Sequence, residues 1–362
     1  MTTETFEVPV GPLHVALEEP MYFKLDVRGD TIQNVDIFAG HLHRGIEQIA
    51  LNRNFFQCII LTERLCSLCS NSHPATYCMA VENIAGIEIP PRARYIRVIA
   101  EEVKRIASNT FNVSLLAHLV GFDTLFMHLM ELREIVQDIK EVLWGNRMNL
   151  GVNVIGGVRV DLDHDKITYL KTRLDELEPQ LREAFNFIET HSSIARRTKG
   201  VGILDHDHAR RYGVVGPVAR AAGVGNDVRV TAPYYAFPEL EMEQHLLPDG
   251  DVYSRAVVRT REVLTAISLV RQCVDRLPKG DLGIGYMPHV PVGESVARSE
   301  APRGELIYYL RTDGSDGPAR VKWRVPSYPN WEALRVMLRQ ADVADAAIII
   351  GSIDPCIACT ER

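Results

Sequence analysis

Over its first forty residues the chain alternates apolar and polar positions with the period of a strand. Phe6 to Val10 is short and β-prone. Tyr22 to Val27 alternates, Arg28-Gly29-Asp30 turns, and Thr31 to Phe38 alternates again, which predicts a hairpin. From about residue 45 the period becomes helical. After Pro90-Pro91, the residues Ile96, Ile99, Val103, Ile106 and Val113 fall on one helix face. A second long helix is predicted from Gly121 toward Trp144. A third starts after Asp163 and carries Ile167, Leu170, Leu174, Leu177, Leu181, Phe185 and Ile188, with Pro179 predicting a bend. A fourth starts near Asp251, a good cap, runs through Val257, Leu264, Ile267 and Val274, and ends before Pro278 and Gly280. Residues 281–330 return to Gly, Pro, Tyr and Val, predicting short strands and turns. Trp331 to Gln340 reads as helical, and the apolar run Ala346 to Ile350 leads into Asp354-Pro355-Cys356.

These periods predict a mainly α fold with small β elements, an α+β class. A central bundle of long antiparallel helices is flanked by short β-sheets near both chain ends. With no repeat, low-complexity tract or long linker, the pattern predicts a single domain over 1–362. Within it, 1–45 is a β region, 46–280 a helical bundle, and 281–362 a β/loop region ending in a cysteine motif.

Composition changes this picture little. The chain has 362 residues, 46% hydrophobic and 24% charged, which is ordinary globular usage. A net charge of −7 gives no reason to expect nucleic acid as a partner. Met1 to Glu7 is acidic and lacks an apolar run, which predicts no secretory leader. No stretch approaches the ~18 apolar residues of a membrane span, so membrane association is expected through other subunits.

The chemistry is concentrated in cysteine. Seven cysteines are too few for a disulfide framework, and the number is odd. Two Cys-x-x-Cys pairs stand at opposite ends of the chain, Cys66-Ser-Leu-Cys69 and Cys356-Ile-Ala-Cys359. Soft, redox-capable metals choose thiolates. By spacing alone, a four-cysteine zinc site is as good a reading as a redox centre. Zinc ribbons, however, usually separate their pairs by ~15–20 residues, and a core of this size needs no staple. Cys58, Cys78 and Cys273 lie in apolar helical stretches and read as small buried hydrophobes. Asp205-His206-Asp207-His208 reads as the exposed first turn of a helix rather than a metal site. Asp161, Asp163 and Asp165 read as loop and cap residues.

The flanking residues discriminate further. Arg64-Leu-Cys66-Ser-Leu-Cys69-Ser-Asn-Ser-His73 and Asp354-Pro-Cys356-Ile-Ala-Cys359-Thr-Glu-Arg362 resemble the two metal-binding signatures of the nickel–iron hydrogenase large subunit. Gly11-Pro-Leu-His14, Leu17-Glu-Glu19-Pro20, Gly40-His41, His43-Arg44-Gly45-Ile-Glu47, Gly86-Ile-Glu-Ile-Pro90 and Glu300-Ala-Pro-Arg303-Gly304-Glu305 look like blocks of its energy-converting, membrane-associated branch. That branch includes the carbon-monoxide-induced and Ech types and is related to the 49 kDa subunit of respiratory complex I. The wording around Cys66 to His73 favours the carbon-monoxide-induced type.

The resemblance implies that Cys66, Cys69, Cys356 and Cys359 bind nickel, with Cys69 and Cys359 bridging to an iron that carries carbonyl and cyanide ligands. It places Arg303 over the open metal position and makes Glu19 the first proton acceptor beyond a nickel thiolate such as Cys356. A lone His is most often simply packed, but His73 near Cys69 can hydrogen-bond a bridging sulfur. Ser327, by itself a turn residue, matches a position that holds an iron-bound cyanide. Glu47 matches a ligand to an extra magnesium or iron ion near the C-terminus, although Arg362 stands where longer relatives have His, and the alternative expectation is that Glu47 pairs with an arginine instead. The sequence stops where relatives are cut after nickel insertion, so a tail is either removed or never made.

The implied activity is reversible reduction of protons to dihydrogen. Electrons are expected from ferredoxin through a small subunit bearing a [4Fe–4S] cluster. Further iron–sulfur subunits, membrane ion-translocating subunits and metal-insertion maturation proteins complete the expected partners. The expected place is the cytoplasmic face of a prokaryotic membrane. The rival expectation is a non-catalytic, complex I-like structural or quinone-site subunit whose four cysteines hold zinc or nothing.

Overall fold

The computed structural model describes residues 4–14, 17–286 and 288–362. Three antiparallel strands open the chain: β1 (Thr5–Val10), β2 (Tyr22–Arg28) and β3 (Thr31–Phe38), paired in the order β1-β2-β3. The alternation read from β2 puts Phe23, Leu25 and Val27 on one fully buried face. Each such side chain contributes ~1.5–3 kcal/mol of burial.

Short helices follow: α1 (Ile46–Ala50), α2 (Phe55–Glu63) and α3 (Ser72–Ala85). A reciprocal cap starts α2: Asn54 Oδ1 accepts the Gln57 N–H at 2.8 Å, and Gln57 Oε1 accepts the Asn54 N–H at 3.2 Å. The long helices are α4 (Pro91–Leu119), α5 (Asp123–Trp144), α6 (His164–Thr190) and α11 (Val252–Asp275). Pro91 at the first position of α4 costs no backbone bond. Asp163 and Asp251 cap α6 and α11 by accepting the N–H groups of Lys166 and Ser254 at 2.9 and 2.7 Å. In the bundle α4 packs on α5 and α11, and α6 closes the ring against α5 and α11.

The bundle region is not helical throughout. A two-stranded hairpin, β4 (Asn153–Val154) with β5 (Gly157–Val158), follows α5. Between α6 and α11 lie α7 (Ser192–Thr198), α8 (His206–Arg211), α9 (Gly216–Arg220), α10 (Val228–Thr231), a short 3-10 turn (Phe237–Glu239) and irregular chain. Asp205 caps α8, so the Asp-His-Asp-His run is a helix start.

The C-terminal part carries β6 (Gly293–Ala301), β7 (Gly304–Thr312) and β8 (Pro318–Arg324), a meander with longer strands than the sequence suggested. Then come α12 (Ser327–Leu338), α13 (Ala346–Ser352) and α14 (Ile357–Glu361). The two chain ends meet: Ile32 N–H donates to the Ala341 carbonyl at 2.9 Å, and the buried faces of β2 and β3 share one core with α12 and α13. No helix among the described residues is long and apolar enough to cross a membrane.

Candidate metal centre

The loop between α2 and α3 carries Cys66 and Cys69. The turn between α13 and α14 carries Cys356, and Cys359 lies within α14. Their sulfurs all lie within 4.8 Å of one another and are buried. Cys66 and Cys356 Sγ are 3.2 Å apart, and all seven cysteines are free thiols. Sharing protons among themselves, the sulfurs differ in acidity. The hydrogen bond from Cys356 brings Cys66 down to about 7 and, with those from Cys359 and Cys66, lowers Cys69 further. Burial holds Cys359 well up.

Several side chains hold the two cysteine segments in place. Lys104 of α4 donates to the Ser67 and Met148 carbonyls at 2.8 and 2.7 Å. Arg44 donates to the Leu65 carbonyl at 2.9 Å and to the Ala358 carbonyl at 3.0 Å, tying both segments with one guanidinium. Ser327 Oγ accepts the Cys356 N–H at 3.1 Å. It sits in the first turn of α12, not in an isolated turn.

Arg303 occupies the two-residue turn between β6 and β7, fixed by the Ala301–Gly304 pairing. A Cβ on Gly216 would stand 2.1 Å from the Arg303 carbonyl oxygen, and one on Gly304 would stand 2.6 Å from the Gly216 nitrogen. Two glycines therefore let this turn press against the start of α9. The Arg303 guanidinium is buried. Its Nη1 is 3.3 Å from Cys69 Sγ and 3.2 Å from Ser108 Oγ; its Nη2 is 2.6 Å from Asp354 Oδ1, and its Nε 2.8 Å from the Asp354 carbonyl. Asp354 adopts a left-handed backbone (φ 54°), which a short polar side chain tolerates better than most. Its Oδ2 is buried without a protein partner.

His73 is buried, with Nε2 3.3 Å from Cys359 Sγ and Nδ1 2.8 Å from the Tyr308 hydroxyl. Burial lowers its pKa to about 4, so the ring is neutral at ordinary pH. Its ring meets Cys359 of the second pair, while its backbone N–H donates to the Cys69 carbonyl at 3.4 Å. Glu19 Oε2 accepts the Ala358 N–H at 2.6 Å, between the two C-terminal cysteines. Burial raises its pKa while the Ala358 N–H opposes the rise. Glu18 stays exposed on one side, yet burial of its carboxyl and the nearby Asp354 charge push it up to about 8.

Of the two expectations for Glu47, a metal or an arginine, the structure shows an arginine beside it. Its carboxylate pairs with Arg362 Nε at 2.9 Å and with Lys322 Nζ, so two cations occupy the oxygens that a metal would need. The four cysteines are the one group among the described residues with metal-ligating geometry.

The sequence reading missed Arg44, Lys104, Ser108, Asp354 and Tyr308 as parts of this site. Asp354 was legible by its place two residues before Cys356. The others needed the fold, because their partners are distant in sequence.

Comparison with known proteins gives the same class. Residues 44–119 match the nickel-dependent hydrogenase family. Residues 120–287 and 283–362 match the family described as respiratory-chain NADH dehydrogenase, 49 Kd subunit. The carbon monoxide-induced hydrogenase of Rhodospirillum rubrum is 57% identical over 359 residues, covering 99% of both chains. Membrane-bound hydrogenase subunit alpha of Pyrococcus furiosus is 38% identical over 380 residues, covering 98% of this chain and 87% of that one. Among solved structures, a chain of the membrane-bound sulfane sulfur reductase, an archaeal respiratory membrane complex, superposes with a TM-score of 0.94 at 31% identity, covering 99% of each chain. This chain belongs to the energy-converting, membrane-associated branch of the nickel–iron hydrogenase large subunits, the branch related to the 49 kDa subunit of respiratory complex I.

Proposed function

We propose that this chain is the catalytic subunit of a hydrogenase that reversibly reduces protons to dihydrogen. The observation that carries the reading is the meeting of four buried thiolates, from opposite ends of the chain, beside the Arg303 guanidinium. Four soft, buried, convergent sulfurs suit nickel and iron by donor chemistry. Cys66, Cys69, Cys356 and Cys359 hold the metal pair, and the iron carries carbonyl and cyanide ligands. When bound, that pair supplies the two-electron chemistry of dihydrogen.

The protein's own part is electrostatic and protonic. Arg303 holds a fixed positive charge against Cys69. Asp354 orients that guanidinium through its carboxylate and its carbonyl. Glu19 takes up or returns the proton beside Cys356 and Cys359, and burial, by raising its pKa, favours a carboxyl that holds a proton more readily than an exposed one. His73 donates to the Cys359 sulfur and tunes it. Ser327 fixes the Cys356 backbone, and its hydroxyl would receive a cyanide of the iron once the metals are bound.

Electrons arrive from ferredoxin through a small subunit with a [4Fe–4S] cluster. Further iron–sulfur and membrane subunits couple the reaction to ion translocation at the cytoplasmic face of the membrane, after maturation proteins have inserted the metals. The span of the 49 kDa match favours one rival reading, a non-catalytic subunit with zinc or an empty site. Metal analysis and infrared spectroscopy of the purified complex decide between them. One nickel and one iron, with carbonyl and cyanide bands, are expected; zinc alone overturns the proposal.

A further inference from the structure

Beyond the thiolates, α14 leads to a second charged cluster. It lines a cavity of about 490 Å³ with Gly40, His43, Glu47, Lys322, Tyr328 and Arg362 on its walls. Arg362 Nε donates to Glu47 Oε1 at 2.9 Å, and Lys322 Nζ donates to Glu47 Oε2. Arg362 Nη1 also donates to the Thr360 carbonyl at 2.8 Å and to the Tyr328 hydroxyl. Its guanidinium lies 4.9 Å from the centre of the Tyr328 ring. His43 Nδ1 is 2.7 Å from the Glu361 carbonyl, and the Leu42 N–H donates to Glu361 Oε2.

This is the place where the family resemblance expects a divalent cation, and the residues do not fit one. A hard cation such as magnesium takes six oxygens in near-octahedral array. Both oxygens of Glu47 are spent on cations. In the cavity wall, Glu361 Oε1 is the one buried carboxylate oxygen without a protein partner among the described residues. A dication drawn to Glu47 would meet an ammonium and a guanidinium that already share its charge, and like charges at such range repel.

The ions also do structural work. Arg362 is bonded at once to Glu47 of α1, to Tyr328 of α12 and to its own Thr360 carbonyl. The Thr360 hydroxyl in turn donates to the Cys356 carbonyl at 2.8 Å and accepts from Trp331 Nε1 at 3.0 Å. Pulling on Arg362 therefore pulls on the segment that carries Cys356 and Cys359.

We propose that Glu47, Lys322 and Arg362 form a metal-free ion clamp that stands in place of a divalent cation and positions the Cys356–Cys359 segment. The clamp is built from protein atoms alone and does not depend on the reaction proposed above.

Two measurements test it on the full chain. The first is thermal unfolding after dialysis into cation-depleted buffer, with magnesium or manganese added back. Wild type is expected to show no shift in Tm. The double variant Lys322→Gln/Arg362→His frees both Glu47 oxygens and offers an imidazole, so its Tm is expected to rise saturably with either cation. The second measurement follows the thiolate-to-metal absorption band on titration with nickel. Arg362→Ala is expected to weaken nickel binding at least tenfold and to displace that band, whereas Arg362→Lys restores most of both. A wild-type Tm that rises with magnesium overturns the metal-free clamp. So does a double variant indifferent to both cations while still folded. An Arg362→Ala protein with unchanged nickel titration removes the positioning role. If neither wild type nor any variant binds nickel, the positioning role falls while the magnesium result still stands on its own, and the hydrogenase reading is decided separately by the metal analysis of the purified complex.

Discussion

Arg303 grips Asp354 twice, with Nη2 2.6 Å from the carboxylate and Nε 2.8 Å from the main-chain carbonyl. The remaining nitrogen is thereby aimed at Cys69. Only a planar fork makes all four contacts at once, to Asp354 twice, to Ser108 and to Cys69. Arg303→Lys is therefore expected to keep the positive charge and the bound metal but lose the geometry. Hydrogen evolution should fall by about 10²–10³, the usual cost of one preorganised charge-stabilising donor. Rates and metal content measured on the same preparation check it; an undiminished rate confines Arg303 to a structural role.

Glu18 and Glu19 are neighbours in sequence but differ in their surroundings. Glu19 bonds the Ala358 N–H inside the cysteine turn, whereas Glu18 keeps contact with solvent. In Glu19→Gln the amide oxygen still accepts from Ala358, so fold and metal are retained while proton uptake is lost. Hydrogen evolution should drop by roughly 10²-fold or more. Glu18→Gln should cost less than about tenfold, because Glu18 is an exposed residue outside the cysteine turn and water can stand in for it. The reverse order of the two effects would move the relay to Glu18.

The long helices were readable because each buries a continuous apolar stripe and starts on a clear signal: Pro91, Asp163, Asp251. The apolar positions read on α4 are indeed core. Yet Arg97, Glu101, Glu102, Lys104 and Arg105 on the same helix are buried too. Period reasoning assigns such residues to solvent, but α4 is enclosed on every side. Glu102 and Arg105 pair within the helix at 3.1 Å, but other partners come from outside it: Glu82 of α3 holds Arg97 at 2.6 Å, and Arg229 of α10 holds Glu102 at 3.0 Å. Buried pairs like these have no signature in a linear pattern. The four cysteines were legible because thiolate spacing is local chemistry. Arg44 was not, since its value lies in bridging Leu65 and Ala358, which only the fold brings together.

His73 and Tyr308 form a second tuning device. The neutral ring carries one proton. In the tautomer assigned for a ring that serves a Cys359 thiolate, Nδ1 accepts from the Tyr308 hydroxyl 2.8 Å away and Nε2 carries the proton toward Cys359 Sγ, 3.3 Å away. Tyr308→Phe removes the partner that fixes this tautomer. Activity is expected to fall roughly tenfold, with nickel retained and the potential of the centre displaced, because supporting hydrogen bonds of ligands typically matter by 10–100-fold. A redox titration of the variant beside wild type makes the comparison. An unchanged potential would show that Cys359 does not feel the ring.

Lys140 offers a test of stability instead of catalysis. Its side chain is buried in α5, near the like charges of Lys104, Arg133 and Arg147. Burial, reinforced by those neighbours, lowers its pKa to about 5. In the unfolded chain an ordinary lysine holds its proton to about pH 10.4. Between those values the unfolded state binds the extra proton, so stability rises with pH across the window and declines as pH falls toward 5. Below about 5 the penalty is fully developed and flat. Lys140→Met keeps a long flexible side chain without the charge. It is therefore expected to raise Tm, and by more at pH 6.5 than at pH 9.5. Thermal unfolding of both proteins at the two pH values checks the sign. A gain that is equal at both, or larger at the alkaline one, would mean that Lys140 finds an anionic partner on folding and is not a buried neutral amine.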